Sequence, residues 1–224
     1  MKNLLMFGAG QTAEIIFHYF KNDSNYNVVG FTVDGENLKE NSFMGLPVVP
    51  FETIEKDFPK KDHHIHVALS YKDMNGLREQ KYIAVKSKRY VMASYVSSQC
   101  GVIGKLNHGD NCIILENQLI QPYVKIGNNV AIWSGSTIGH HSKIEDHCWV
   151  TSGATIGGNS TIGSRTFFGM NATVGHMVTI GRESFLGAHC LVTKSAKDYS
   201  VYIVKDTECF PLDSKRFMKI TTMV

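Results

Sequence analysis

The sequence predicts an α/β domain followed by an all-β coil of short repeats, and three observations carry that prediction. A hydrophobic row recurs at every sixth residue through the second half of the chain. The first third lacks this row. It opens instead as strand, glycine turn, helix, strand and acid.

The row runs from Val96 to Val192. Of its 17 positions all but His108 are aliphatic or aromatic. The next position is often Gly, as at Gly127, Gly139, Gly157, Gly163, Gly169, Gly175, Gly181 and Gly187. The position two before is often small, as at Ser136, Ser142, Ala154, Ser160, Ala172 and Ser184. A period of six fits neither a helix nor a pleated strand. It fits a β-helix in which each hexapeptide makes one short strand and one turn, three hexapeptides to a coil. The row and the small residues then point inward, and the Gly is expected where the backbone bends sharply. Residues 95–195 supply roughly five to six coils.

The N-terminal elements follow in order. Asn3 to Phe7 reads as a buried strand. GAGQTAEIIFHYFK reads as a Gly-rich turn and a helix with Ile15, Ile16 and Tyr19 at helical spacing. Val28 to Val33 reads as a second strand, ending in Asp34. This is a βαβ unit of Rossmann type. Its first turn presents backbone amides near Gly8 and Gly10 to an anion. Asp34 is placed to accept hydrogen bonds from a ribose or a base. Ala13 stands where a full dinucleotide fingerprint has its third Gly, so one nucleotide fits better than two. A turn is expected at Gly45-Leu46-Pro47, a short helix over Phe51 to Phe58 and a polar loop over 60–64. A third strand is expected over Ile65 to Leu69 and a helix carrying Arg78 over Asn75 to Ser87. His63, His64 and His66 read as solvated. The division is 1–90 for the α/β domain, 91–195 for the coil and 196–224 for a tail.

Composition narrows the function. The chain has 224 residues, 43% of them hydrophobic and 19% charged, which is the range of folded domains. No apolar run is long enough to span a bilayer, and the start lacks a secretory signal. Twenty-three basic residues against 20 acidic ones leave a net charge of +3, too balanced for a nucleic-acid binder. Five cysteines without a CxxC spacing point to a reduced, cytoplasmic protein with neither disulfides nor a zinc knuckle.

The repeat resembles the hexapeptide acyltransferases, which fold as left-handed parallel β-helices. With its N-terminal domain the whole chain resembles nucleotide-sugar acetyltransferases of the sialic-acid O-acetyltransferase, bacillosamine and perosamine N-acetyltransferase type. FGAGQTAE is similar to the family's phosphate-holding turn, and FTVDG to its strand ending in acid. STIGHHSKIEDHCWVTSGATIGG is similar to the catalytic coil, and FLGAHCLVTKSA to the last coils lining the coenzyme A channel. The resemblance implies Gly8, Gly10, Gln11, Thr12, Asp34, Gly35, Ser70 and Arg78 at a nucleotide-linked amino sugar. It implies Trp149, Gly158, Met170, Gly187, Ala188 and Lys194 at coenzyme A, and His140 with His141 as catalytic residues. Acetyl-CoA as donor, no metal and a homotrimer with sites in the grooves between copies follow from the same resemblance.

The chemistry asks for a group that accepts the amine proton, and His is the natural base near neutral pH. His140 and His176 are 36 residues apart, two complete coils, so both fall at one corner with Gly158 between them. His108 lies in the inward row and reads as a bonded structural residue. His147 and His189 read as solvated turn residues. Where the family has an acid beside its base, this chain has His141, so either a different acid, Glu116, Glu145 or Asp146, orients His140, or the base is weaker. Trp149 stands where the family often has His. Lys205, Lys215 and Arg216 in the tail are candidates for coenzyme A phosphates. The function implied is acetyl-CoA-dependent N-acetylation of a nucleotide-linked 4-amino-4,6-dideoxy sugar in surface-glycan synthesis. O-acetylation of a sugar or sialic acid and a non-catalytic scaffold stay open. A zinc site of the kind found on similar prisms lacks its third His, since that position is Gly181.

Overall fold

The computed structural model describes residues 1–221. The N-terminal unit is a six-stranded sheet of order β3-β4-β2-β1-β5-β6, with β1 (Lys2–Phe7), β2 (Tyr26–Val33), β3 (Ser42–Phe43), β4 (Leu46–Pro50), β5 (His63–Val67) and β6 (Val91–Met92). Every pairing is parallel except the β3–β4 hairpin. Successive residues of β1 feed two cores: Leu4 and Met6 one face, Leu5 and Phe7 the other. Burial on both faces is what a parallel sheet with helices on each side requires.

The first core takes helix α1 (Gln11–Asn22) through Ala13, Ile16, Phe17 and Phe20, spaced three, one and three residues apart. Ile15, expected inward, is on the outer side and 40% exposed, while Tyr19 is half-buried at the rim. The second core takes Phe51 and Ile54 of a 3-10 turn, Phe58, and Val85 of helix α2 (Gly76–Ser87). The expected turn at Gly45-Leu46-Pro47 is tighter than read. Met44 and Gly45 carry the positive φ angles, and Leu46 and Pro47 already belong to β4. The polar loop ends at Asp62, since β5 begins at His63. His66 is buried, with its Nδ1 2.8 Å from the Ala93 carbonyl, because β5 lies inside the sheet between β1 and β6 with both faces covered.

The coil is a three-sided prism with seven, six and five parallel two-residue strands on its faces. Strands pair with those 18 residues away, as Trp149 does with Ala131 and Phe167. The second residue of each strand points inward. Ile132, Ile138, Ile144, Val150, Ile156, Ile162 and Phe168 form one fully buried stack. His108, at the frayed first coil, is half-buried with Nδ1 2.7 Å from the Gly109 carbonyl. The small inward residues also bond. The hydroxyls of Ser136, Ser142 and Ser160 donate to the carbonyls of Thr151, Gly157 and Gly175 at 3.2, 3.0 and 2.9 Å. Cys112 and Cys148 take an equivalent inward corner, and burial pushes both thiols up to about 12.

The repeat glycines are not bend residues. The left-handed turn position comes two residues later and holds Asn111, Asn117, Asn129, His141, Asn159 and Asn171. The glycines answer to stacking instead. A Cβ on Gly157 would lie 2.6 Å from the Gly175 carbonyl carbon, and one on Gly163 2.5 Å from the Arg182 amide.

One face docks on the N-terminal domain. Its outward residues Tyr95, Ile113, Ala131, Trp149 and Phe167 are buried in the same core as α1, and Phe185 packs at its edge. The other faces carry polar outward positions: Thr137, Thr155 and Thr173 on one, Lys125, Lys143 and Thr161 on the next. We call these the docked, threonine and lysine faces. Val201–Tyr202 adds the seventh strand of the docked face, so coiling continues beyond residue 195. The tail then carries helix α3 (Ser214–Thr221), and residues 203–221 are exposed throughout.

Candidate active site

Two cavities and one corner gather most of the residues singled out in the sequence. A crevice of about 660 Å³ lies at the carboxyl edge of β1, β2 and β5, where ligands bind in open α/β sheets. Gly8 and Asp34 line it. Gly8 has φ +120, and a Cβ there would sit 2.9 Å from the Ala68 carbonyl oxygen, so only Gly fits. Gly10 caps α1 without a side chain, which leaves the first-turn amides around Gln11 and Thr12 without a side-chain cap. Asp34 accepts a 2.7 Å bond from Lys81, both being largely shielded from water. The Gly35 amide is directed at the Glu52 carboxylate, at 3.0 Å to Oε2, so its donor is already used. Lys39, Lys72 and Lys81 line the crevice and were missed in the sequence. Lys81 lies one turn beyond Arg78 on α2, which was the available signal.

Arg78 is not at the crevice. It is fully buried and donates to Asn129 Oδ1 at 2.9 Å, Asn75 Oδ1 at 3.0 Å and the carbonyls of His147 and Cys148 at 2.8 and 3.0 Å. It also donates to the Asn129 carbonyl and lies over the Trp149 ring at 5.3 Å. Burial pushes its pKa down to about 10. It pins α2 to the prism. His147 belongs to the same joint: it is buried, not solvated, with Nδ1 2.9 Å from Asn129 Nδ2 and Nε2 3.5 Å from Glu79. Burial lowers its pKa, and Glu79 opposes that. His189 is exposed, as expected.

The second cavity is an apolar cleft of about 450 Å³ on the docked face and the corner after it. Trp149, Met170 and Ala188 line it, joined by Tyr71, Trp133 and Phe167, which the sequence reading passed over. Gly187 lies in the same column as the lining residue Gly169, one coil on. One short segment borders both the crevice and the cleft. Leu69 and Lys72 border the first and Tyr71 the second, while Ser70 between them is exposed.

His140, Gly158, His176 and Lys194 form one column at the corner between the threonine and lysine faces, a different corner from the cleft. The His140 ring leans over Gly158, where a Cβ would be 2.9 Å from Nε2. It meets the His176 ring edge-on at 6.0 Å. Its Nδ1 is 3.1 Å from the Nδ1 of His141, whose ring packs on Tyr123 at 4.6 Å. None of the three candidate acids supports His140. Glu116 accepts from Ser134, Glu145 pairs with Lys143, and Asp146 accepts the Asn128 amide. In the tail Lys205 and Arg216 pair locally with Glu208 and Asp213.

Residues 141–176 match the family model described as bacterial transferase hexapeptide, six repeats. The matched segment lies within the prism. Among solved structures, the acetyltransferase domain of PglB from Neisseria gonorrhoeae FA1090 superposes with a TM-score of 0.78 at 17% identity. That match covers 90% of this chain and 96% of that one. A second structure of that domain, in complex with acetyl coenzyme A, also has a TM-score of 0.78 at 17% identity, over 89% of this chain and 95% of that one. PerB from Caulobacter crescentus, in complex with CoA and GDP-perosamine, superposes at 0.76 with 18% identity. It covers 90% of this chain and 93% of that one. These structures and this chain share one fold over nearly their whole lengths. No curated protein matches the sequence.

Proposed function

We propose that this chain transfers an acetyl group from acetyl-CoA to the amine of a nucleotide-linked 4-amino-4,6-dideoxy sugar, with His140 as base. One observation carries the reading: the segment from Leu69 to Lys72 borders both a nucleotide-sized crevice at the sheet edge and an apolar cleft of about 450 Å³ on a prism that also exposes an imidazole at a stacked corner. The fold shared with PglB and PerB structures that hold acetyl-CoA, CoA and GDP-perosamine supports it.

In this reading the diphosphate lies against the first turn of α1 and the lysines of the crevice, since a helix N-terminus and ammonium groups favour anions. The sugar follows Ser70 and Tyr71 toward the cleft. The amine lone pair attacks the thioester carbonyl carbon, and His140 Nε2 takes the amine proton. The C–S bond then breaks, and Nε2–H returns the proton to the departing thiolate. The products are an amide and free coenzyme A.

The base and the cleft occupy different corners of one copy. A homotrimer that sets the His140 corner of one copy against the cleft of the next supplies both halves, with Trp149, Met170, Gly187 and Ala188 on one side and Gly158 and Lys194 on the other. Asp34, held by Lys81, offers its second oxygen to the nucleoside. We place this reaction in the cytoplasm, in surface-glycan or lipopolysaccharide synthesis. Among the described residues no helix is long and apolar enough to cross a membrane.

The test is free-thiol release from acetyl-CoA with uridine-, thymidine- and guanosine-diphosphate 4-amino sugars. His140→Ala is expected to lose at least about 100-fold in kcat/KM. A loss under about threefold refutes the assignment. Mixing His140→Ala with Ala188→Trp, each inactive alone, restores activity if the site is shared between copies.

A further inference from the structure

We infer that His141 is a positioning residue that works as a neutral hydrogen-bond acceptor, fixing the tautomer in which His140 presents a bare Nε2. The inference rests on the reading of His140 as base. It deepens that reading by naming what replaces a carboxylate behind the base.

The geometry leaves two arrangements. The Nδ1 atoms of the two rings are 3.1 Å apart, so one proton lies between them. If His141 donates, His140 Nδ1 accepts, and the neutral His140 ring carries its proton on Nε2. That ring has no lone pair for an amine. If His140 donates, its proton is on Nδ1 and Nε2 is bare. His141 must then be neutral, with its own proton on Nε2.

Only the second arrangement leaves a lone pair on Nε2 for the amine proton, and the surroundings hold the pair in the geometry it needs. His141 occupies the left-handed turn position, with φ 59, and its amide donates to the Pro122 carbonyl at 3.1 Å. Its ring packs on Tyr123 at 4.6 Å with 36° between the planes, which fixes where its Nδ1 points. The His140 amide donates to Gln121 Oε1 at 2.9 Å, so the backbone on both sides of the pair is held. Gly158 has no Cβ under the His140 ring, which keeps Nε2 clear.

When His140 takes a proton on Nε2 it becomes an imidazolium, and its Nδ1–H bond to His141 becomes charge-assisted and stronger. The stabilisation therefore grows in the transition state, which is what accelerates the step. A second proton cannot be added to the pair without breaking the Nδ1–Nδ1 bond, because both nitrogens would then be donors. One positive charge at a time is the working limit of this dyad.

The test has a spectroscopic arm and a kinetic arm. Nitrogen-15 histidine spectra of the full-length protein are expected to show the neutral His140 protonated on Nδ1 and His141 on Nε2. His141→Ala is expected to lose that tautomer preference and at least about tenfold in kcat, with the KM for acetyl-CoA within about twofold. His141→Glu restores the acceptor and is expected to recover kcat to the wild-type value or above it. The opposite tautomer in the wild type, or a His141→Ala kcat within about twofold of wild type, overturns the inference. If the wild type acylates no amino-sugar nucleotide, the proposed function fails, and the spectra still decide the dyad.

Discussion

Gly158→Ala separates chemistry from folding at the candidate site. The new Cβ would stand 2.9 Å from His140 Nε2, 3.0 Å from Cε1 and 3.2 Å from Cδ2, with no other heavy atom closer. Ordinary contacts of this kind need about 3.5 Å or more, so the ring must move by roughly half an ångström or more. The ring is at an exposed corner outside the packed core, so its displacement costs the fold little, and Tm is expected within about 2 °C of wild type. The reaction is less forgiving. A displacement of this size at a reacting nitrogen costs roughly ten- to 100-fold in kcat/KM. Gly157→Ala, one residue away, is the matched control. There the Cβ meets the Gly175 carbonyl carbon and the His176 amide nitrogen, both at 2.6 Å, and backbone cannot step aside. Overpacking of that kind costs about 1–3 kcal/mol, or a Tm fall of roughly 2–12 °C in a chain of this length. The assay is acetyl-CoA turnover beside differential scanning calorimetry on both variants. A Gly158→Ala protein with kcat/KM within twofold of wild type would show that the imidazole does not act where it now stands.

Other outcomes follow from the packing. Arg78→Met should destabilise the fold by at least about 3 kcal/mol, because the Asn129, His147 and Cys148 carbonyls lose a charged donor in a buried joint; urea melts measure this. His66 is fully buried, and desolvation pushes its pKa down to about 4. The unfolded chain binds that proton from about pH 6.5 downward and the folded chain does not, so stability falls as pH drops from 6.5 toward 4, by up to about 3 kcal/mol. His66→Gln should flatten that part of the Tm–pH curve, and an unchanged slope would rule the group out. Thiol labelling at pH 8 should reach exposed Cys209 at once and Cys112 and Cys148 only on unfolding, since both are buried with raised pKa values.

Much of the architecture was legible because each hexapeptide repeats one local demand, an apolar side chain facing inward every sixth residue. The same regularity put His140, Gly158 and His176 at one corner. Reading the glycines as bend residues failed for a physical reason. Left-handed φ and close approach both select Gly, and only the stacked coils tell them apart. Ile15 was misplaced by a similar ambiguity, since Ile15 and Ile16 are equally apolar and only the docked partner chooses between them.

The row of inward residues, the strand–turn–helix start and the column of histidines were determined by spacing along the chain. What the tertiary structure decided is which long-range partner each polar group meets. Arg78 binds carbonyls 69 and 70 residues further on, which turns an apparent ligand contact into a structural pin. Glu116, Glu145 and Asp146 are spent on Ser134, Lys143 and Asn128, which leaves His141 as the only hydrogen-bonding side chain at the His140 ring among the described residues. A local pattern can place a side chain inside or outside. It cannot say which donor or acceptor, brought in from far along the chain, will satisfy it.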